Sequence, residues 1–220
     1  LYPKDVLFLK EHPHTYYVIL EPEVEKRRDG LVLRVETNLS YADFSRQRIE
    51  NVIFYNSRLR RTRFKYSELK LVWFEFTDLE QASFYRAVLD YVAFKGDGLN
   101  IVKLNTTNFE KATWRYGYTY CTHFEGTNLE GATLVGLTFT YSYNFEKANF
   151  TNTIWERGVS WEEVDFRGAD FQGADFTELP DDSWLGIGRN TFIDLLLDQG
   201  CDLSNASLPA YYPLDLSYLD

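Results

Sequence analysis

Leu39-Ser40-Tyr41-Ala42-Asp43-Phe44-Ser45-Arg46-Gln47-Arg48-Ile49-Glu50-Asn51-Val52-Ile53-Phe54 is the stretch on which the fold turns, because every fifth residue in it is large and apolar. The step continues outward through Leu59, Phe64, Leu69, Phe74, Leu79, Phe84, Leu89, Phe94, Leu99, Leu104, Phe109 and Trp114. Thr119 interrupts it, and Phe124, Leu129, Leu134 and Phe139 resume it. A period of five matches neither the helix repeat of about 3.6 nor the strand repeat of about 2, so neither element can bring these side chains to one face. The backbone must turn a corner every five residues.

Two positions before each large residue stands a small one, as at Ala42, Ser57, Thr62, Ser67, Ala82, Ala87, Thr107, Ala112, Gly117, Thr127 and Ala132, or Val at 52, 72, 92 and 102. The positions between are mostly charged, amide or hydroxylic, as solvent-facing sites would be. Four such units close a square coil of about twenty residues with one large and one small inward residue per side, and coils stack at about 4.8 Å. Six-residue steps from Phe139 to Phe145 and from Trp155 to Trp161 read as bulges at corners. Phe150 and Trp155, then Phe166, Phe171 and Phe176, keep the register around them. The series therefore predicts about seven coils in a rod roughly 33 Å long. Core columns Leu39, Leu59 and Leu79, Phe44, Phe64 and Phe84, and Phe54, Phe74 and Phe94 account for the aromatic excess of 17 Phe, 16 Tyr and 5 Trp in 220 residues.

Units such as Tyr41-Ala42-Asp43-Phe44-Ser45, Thr127-Asn128-Leu129, Gly168-Ala169-Asp170-Phe171 and Gly173-Ala174-Asp175-Phe176 resemble the Ala-Asp/Asn-Leu/Phe core of the pentapeptide repeat family. The resemblance implies an all-β fold, a right-handed quadrilateral β-helix. Both open ends of such a solenoid need caps. Residues 1–36 are expected to form an N-terminal β cap, with strands at Tyr16–Leu20 and Leu31–Val35 and a turn at Asp29-Gly30. Residues 37–178 are the repeat. Residues 179–220 are expected to hold a short helix over 190–200, capped by Asn190 and stopped by Gly200, and then a brief return of the repeat at Cys201-Asp202-Leu203 and Ala206-Ser207-Leu208. Gyrase-binding relatives dimerise through this end, so the resemblance also implies a homodimer involving Tyr211, Tyr212 and Tyr218; a helix that plugs its own coil is the competing reading.

Chemistry is sparse. His12 and His14 offer two metal ligands without companions nearby in sequence, and His123 falls at an outward position. Cys121 and Cys201 read as two small buried thiols. With no nucleophile elbow, phosphate-binding glycine loop or recognisable Cys/His pairing, the chain is not expected to be an enzyme or to use a metal or cofactor. Sequons at Asn38, Asn105, Asn149 and Asn205 arise readily in a repeat rich in Asn, Ser and Thr. No apolar run reaches the roughly 18 to 20 residues of a membrane-spanning helix. A soluble cytoplasmic protein is the expectation, or a lumenal or secreted one where a targeting segment has been removed.

Charge divides the chain. Residues 1–110 carry 17 Lys/Arg against 16 Asp/Glu, and residues 111–220 carry 6 against 17. A twenty-residue turn places Arg46 with Arg86 in one outward ladder and Arg63 with Lys103 in another, giving the N-terminal coils a basic patch. The expected function is a non-enzymatic interaction module whose walls bind a protein partner, with Arg61, Tyr55, Tyr66, Tyr85 and Tyr91 as candidate contacts, because outward aromatic and Arg side chains dominate interface energetics. The alternative follows from the resemblance: a DNA mimic of the quinolone-resistance Qnr type, in which Glu162, Glu163, Asp165, Asp170 and Asp175 imitate phosphates and occupy gyrase or another type II topoisomerase. Direct nucleic-acid binding is not expected of a chain with net charge −10.

Overall fold

The computed structural model describes residues 23–27, 30–36, 38–180 and 191–210, with β1 (Glu23–Arg27) and β2 (Gly30–Val35) as backbone. The remaining strands are β3 (Arg48–Tyr55), β4 (Glu68–Glu75), β5 (Val88–Asp90), β6 (Ala93–Lys95), β7 (Val102–Lys103), β8 (Thr113–Arg115), β9 (Tyr118–Tyr120), β10 (Thr122–His123), β11 (Thr133–Thr140), β12 (Ile154–Glu162) and β13 (Asp175–Glu178). From β2 onward every pairing is parallel and joins a residue to its counterpart one coil later, as in Leu69 on Ile49 and Phe74 on Phe54. The result is a four-sided parallel β-solenoid of about seven coils.

The five-residue period becomes a square through the corners. At the first and second walls the small residue donates its N–H to the large residue three before it, Ala42 to Leu39 at 3.0 Å and Thr62 to Leu59 at 3.1 Å. The residue between them has positive φ, 67° at Tyr41 and 58° at Arg61, which makes the corner a type II turn. At the corner between the third and fourth walls the chain stays in strand, and β3, β4 and β11 run through it with single left-handed residues at Asn51, Leu71 and Gly136, whereas the bulged β12 has two, Arg157 and Gly158. Asp or Asn just before the large residue closes its own turn: Asp43 Oδ1 accepts the Ser45 N–H at 2.9 Å, and Asn149 Oδ1 the Thr151 N–H at 2.9 Å. Most buried small hydroxyls are satisfied by carbonyls, as in Thr62 Oγ1 to Leu39 O and Thr107 Oγ1 to Leu79 O, both 2.8 Å, though Thr77 Oγ1 has no such partner.

All nine column residues named from the sequence are buried. Each full burial of such a side chain stabilises by about 1.5–3 kcal/mol. The rings stack along the rod, Phe44 on Phe64 at 5.1 Å and 7° and Phe64 on Phe84 at 4.8 Å and 5°. Thr119 is buried too, its Oγ1 2.7 Å from Ser142 Oγ. Trp114 takes up the volume that Thr119 leaves, edge-on to Phe94 at 5.2 Å with its Nε1 donating to Val92 O at 3.1 Å. Gly117 stands at the small position beneath it, because a Cβ there would lie 2.0 Å from Trp114 Nε1.

Four expectations need correction. Leu99 is 93% exposed and belongs to no column. Here the coil is 25 residues long: Asp78 pairs with Lys103 and Ser83 with Asn108, and the extra residues leave the coil as a loop. Asp97 Oδ1 ties that loop by accepting the N–H groups of Leu99 and Asn100 at 2.8 and 2.6 Å. Consequently Arg63 and Lys103 do not share a ladder: Arg63 lies between Asp43 and Ser83, Lys103 between Asp78 and His123. At the N-terminus, Leu31–Val35 lies in β2 as expected, but its antiparallel partner is the polar segment Glu23–Arg27; Tyr16–Leu20 lies outside the described residues. The step from Trp155 to Trp161 puts its bulge at a corner, β12 shifting register against β11 between Val135 and Leu137, whereas the step from Phe139 to Phe145 places its extra residue, left-handed Asn144, within the first wall, between Tyr143 opposite His123 and Phe145 stacked on Phe124.

At the far end, α1 (Thr191–Asp198) buries Phe192, Ile193 and Leu196. Phe192 meets Trp155 at 5.1 Å, Trp161 at 5.3 Å and Phe166 at 5.7 Å, so the helix closes its own coil. Gln199 completes the closure, its Oε1 accepting the Phe166 N–H at 2.6 Å and its Nε2 donating to Val164 O at 3.1 Å. The repeat then returns, Asp202 pairing with Asp170 and Ser207 with Asp175. Asn190, Tyr211, Tyr212 and Tyr218 lie outside the described residues.

Candidate functional site

The geometry decides which outward residues can meet. Residues about twenty apart are neighbours on one wall, and residues five apart stand on adjacent walls. The five candidate contacts therefore scatter: Arg61 is on the first wall, Tyr66 and Tyr85 on the second, Tyr91 on the third and Tyr55 on the fourth. Only Tyr66 and Tyr85 touch, edge to face at 5.5 Å. Two arginines absent from the candidate set complete their cluster, Arg46 lying 5.8 Å from the Tyr66 ring and Arg86 5.4 Å from the Tyr85 ring. The signal for them was present in the spacing, since Arg46, Tyr66 and Arg86 are twenty apart and share one corner station. Lys65 and Lys111 border the cluster; Lys111 pairs with Glu110 at 3.0 Å.

The other candidates sit in smaller groups. Arg61 lies 5.6 Å from the Tyr41 ring and donates to Gln81 Oε1 at 2.6 Å. Tyr91 stacks on Tyr116 at 5.3 Å, and Arg157 lies 5.9 Å from the Tyr116 ring. Tyr55 meets Phe76 at 5.3 Å. Much of the basic patch is matched locally, by Arg63 with Asp43 at 3.0 Å, Arg60 with Glu80 at 2.6 Å and Arg115 with Asp90 at 2.6 Å.

The carboxylates form a girdle and not a line. Asp165, Asp170 and Asp175 stand on the first, second and third walls, and Glu162 and Glu163 at the end of the fourth. The three aspartates each accept an N–H two residues on, from Arg167, Gln172 and Thr177. Asp165 also pairs with the Arg167 guanidinium, which holds its carboxyl below the usual carboxylate range.

His123 is half-buried on the first wall beside Lys103, in an open depression also lined by Gln81, Asn105 and Glu125. Burial, then the Lys103 charge, pushes its pKa down. Cys201 is buried, its thiol pushed up to about 11 by desolvation, so it is not an activated nucleophile at neutral pH. Among the described residues no three His, Cys, Asp or Glu side chains gather into a metal site; His12 and His14 lie outside them. No helix among the described residues is long and apolar enough to cross a membrane. Asn38, Asn105, Asn149 and Asn205 all stand at outward stations.

The family model described as pentapeptide repeats matches in eight copies, over residues 36–65, 120–156 and 157–178. The structure carries the same coil through the unmatched residues between 65 and 120. No curated protein matches the chain. Among solved structures the chain is similar to HetL, a pentapeptide repeat protein involved in heterocyst differentiation regulation from the cyanobacterium Nostoc sp. strain PCC 7120. The identity is 18% over 80% of this chain and 83% of that one, with a TM-score of 0.50. Full-length QnrB1, a plasmid-mediated fluoroquinolone resistance protein, is 16% identical over 84% of this chain and 96% of that one, with a TM-score of 0.39. At 18% identity the likeness to HetL speaks for the fold alone.

Proposed function

We propose that this chain, which belongs to the pentapeptide-repeat family, is a non-catalytic docking rod that holds a protein partner against the second wall of its N-terminal coils. One observation carries the reading. Arg46, Tyr66, Tyr85 and Arg86 form a continuous basic and aromatic surface, with Tyr66 46% exposed, on corner turns that follow the stacked rings of Phe44, Phe64 and Phe84. Tyr provides large contact area at low conformational cost and Arg directional donors, and they dominate binding energy where they cluster. The cations favour a partner whose facing surface is acidic.

The DNA-mimic reading draws less support. Carboxylates five residues apart wind round the rod, whereas a phosphate track needs them along one wall, and three of the five are engaged by backbone N–H groups.

Affinity capture from the native source, run in parallel with wild type and a Tyr66→Ala, Arg86→Glu variant, tests the proposal. A protein retained by the first and lost by the second is expected. Equal recovery on both overturns the second-wall assignment. Salt-sensitive inhibition of type II topoisomerase supercoiling that survives this variant but not neutralisation of Glu162, Asp165, Asp170 and Asp175 would favour mimicry instead.

A further inference from the structure

A surface accepts what its backbone and side chains still have to offer. Where the second wall turns into the third, the backbone offers nothing: the N–H groups of Arg46, Tyr66 and Arg86 donate to the carbonyls of Lys65, Tyr85 and Glu110 one coil later, at 2.9, 2.9 and 3.0 Å. A strand laid along this face finds no ladder to join. Recognition falls to side chains, and the occupant needs a backbone that requires no pairing. The side chains offer cations on an aromatic floor. Arg46, Tyr66, Arg86 and Lys111 follow one another along this corner, with Lys65 beside Tyr66 and Tyr85 beside Arg86. All but the half-buried Tyr85 are exposed. Arg60, Arg63, Lys111 and Arg115 each meet a carboxylate. Among the described residues none pairs with Arg46, Lys65 or Arg86, so their charge is open to a partner.

We propose that this surface takes an acidic, proline-rich segment of a partner protein in the polyproline II conformation, lying along the corner with carboxylates three residues apart on Arg46 and Arg86 and prolines on the Tyr66 and Tyr85 rings. The proposal rests on the docking reading above and gives its partner a chemistry. Spacing carries it. Stations on successive coils lie about 4.8 Å apart, so Arg46 and Arg86 stand about 9.6 Å apart with the Tyr66 ring between them. A polyproline II helix has three residues per turn at about 3.1 Å each, so it returns to one face every 9.3 Å or about that, with its backbone fully solvated. A β-strand returns about every 6.7 Å. An α-helix returns at about 6.0 or about 10.5 Å, a poorer match to two coils. The rings complete the fit, because Tyr66 and Tyr85, edge to face at 5.5 Å, present the kind of aromatic surface on which proline-rich segments dock.

Fluorescence anisotropy tests this with the full-length chain and a labelled peptide of four Glu-Pro-Pro repeats at low ionic strength. Saturable binding is expected, weakened at least tenfold by Arg46→Gln with Arg86→Gln and at least fivefold by Tyr66→Ala. A peptide of the same composition with its four Glu gathered at one end should bind wild type at least fivefold more weakly, since it cannot place one acid per two coils. That comparison uses the wild-type rod alone, so it holds however the variants fold. Absence of saturable binding by the repeating peptide overturns the proposal, and so does equal binding of the gathered one, which is attraction by bulk charge. If the repeating peptide fails while affinity capture still yields a protein lost with Tyr66→Ala, Arg86→Glu, the polyproline assignment falls and the second-wall docking reading stands; failure of both experiments removes both.

Discussion

The first three coils and the last three are built on one plan and differ in how their rings meet. In the first, offsets of twenty residues place Phe on Phe almost parallel, at 7° for Phe44 and Phe64, 8° for Phe54 and Phe74, and 9° for Phe74 and Phe94. In the last, offsets are 21 or 22 as far as β13 and 32 across the helix to Asp202; along the columns Phe150 and Phe171 still stack at 6°, but Trp155 lies at 30° to Phe176 and Phe145 at 41° to Phe166. Extra residues are not the cause. Phe124 and Phe145, 21 apart, stack at 9°, and Phe84 and Phe109, 25 apart, stack at 3°. Bulges and the loop absorb the insertions, while strand pairing sets each ring's place. Tilt enters where a larger indole joins the column and a helix closes it.

The sharpest way to break the regular half is Phe84→Asp, which puts an unpaired carboxylate between Phe64 and Phe109; it should abolish cooperative melting and the β-sheet circular dichroism signal. A soluble variant with an unchanged melting temperature would refute the column. Gly117→Ala should follow, destabilising by about 1–3 kcal/mol, since the added methyl overlaps Trp114 Nε1 and Val92 O. Combining it with Trp114→Phe should recover part of the loss in a double-mutant cycle by chemical denaturation.

Acid should separate the halves. Hydrogen bonds from Arg167 hold Asp165 below its ordinary pKa, and the Ser204 N–H does the same for Asp202. In Asp43, burial pulls upward but donors from Ser45 and Arg63 prevail. A folded-state pKa that is depressed contributes stability above the unfolded value, about 3.9, and that stability is lost as pH falls through the folded value. The later coils carry Asp at these turn positions where the middle coils carry Asn108, Asn128 and Asn149. Between pH 5 and 3, hydrogen exchange should therefore show the coils around 165–207 opening before those around 108–149; simultaneous opening would contradict the assignment. Smallest of all, Leu99→Asp should change stability by less than about 0.5 kcal/mol, despite its place in the five-residue series.

That last residue shows where sequence reading succeeds and where it stops. Side-chain period is a phase, and an insert of one whole unit leaves the phase intact, so Leu99 reads as core although it stands on a loop. The same shift put Lys103 on the wrong ladder. Six-residue steps, which do break the phase, were legible at once. β1 was missed because Glu23–Arg27 is mostly charged, while the two-residue turn signal at Asp29-Gly30 already pointed to a strand immediately before it. Thr119 looked like a lapse because the compensating bulk of Trp114 and the hydroxyl of Ser142 lie one wall and one coil away. At the candidate site, the shared ladder of Arg46 and Arg86 was legible from the twenty-residue turn, whereas the contacts of Arg46 with Tyr66 and of Tyr66 with Tyr85 emerge only from the stacking of coils.

The square cross-section has a consequence for detection. Any patch on one wall takes one or two residues from each of several coils, so its members are spread over tens of residues of chain. Short synthetic peptides cannot reproduce the Arg46, Tyr66, Tyr85 and Arg86 surface, and a tiled peptide library would score this protein as inert. An antibody selected against that wall should recognise the native rod and fall silent on a denaturing blot.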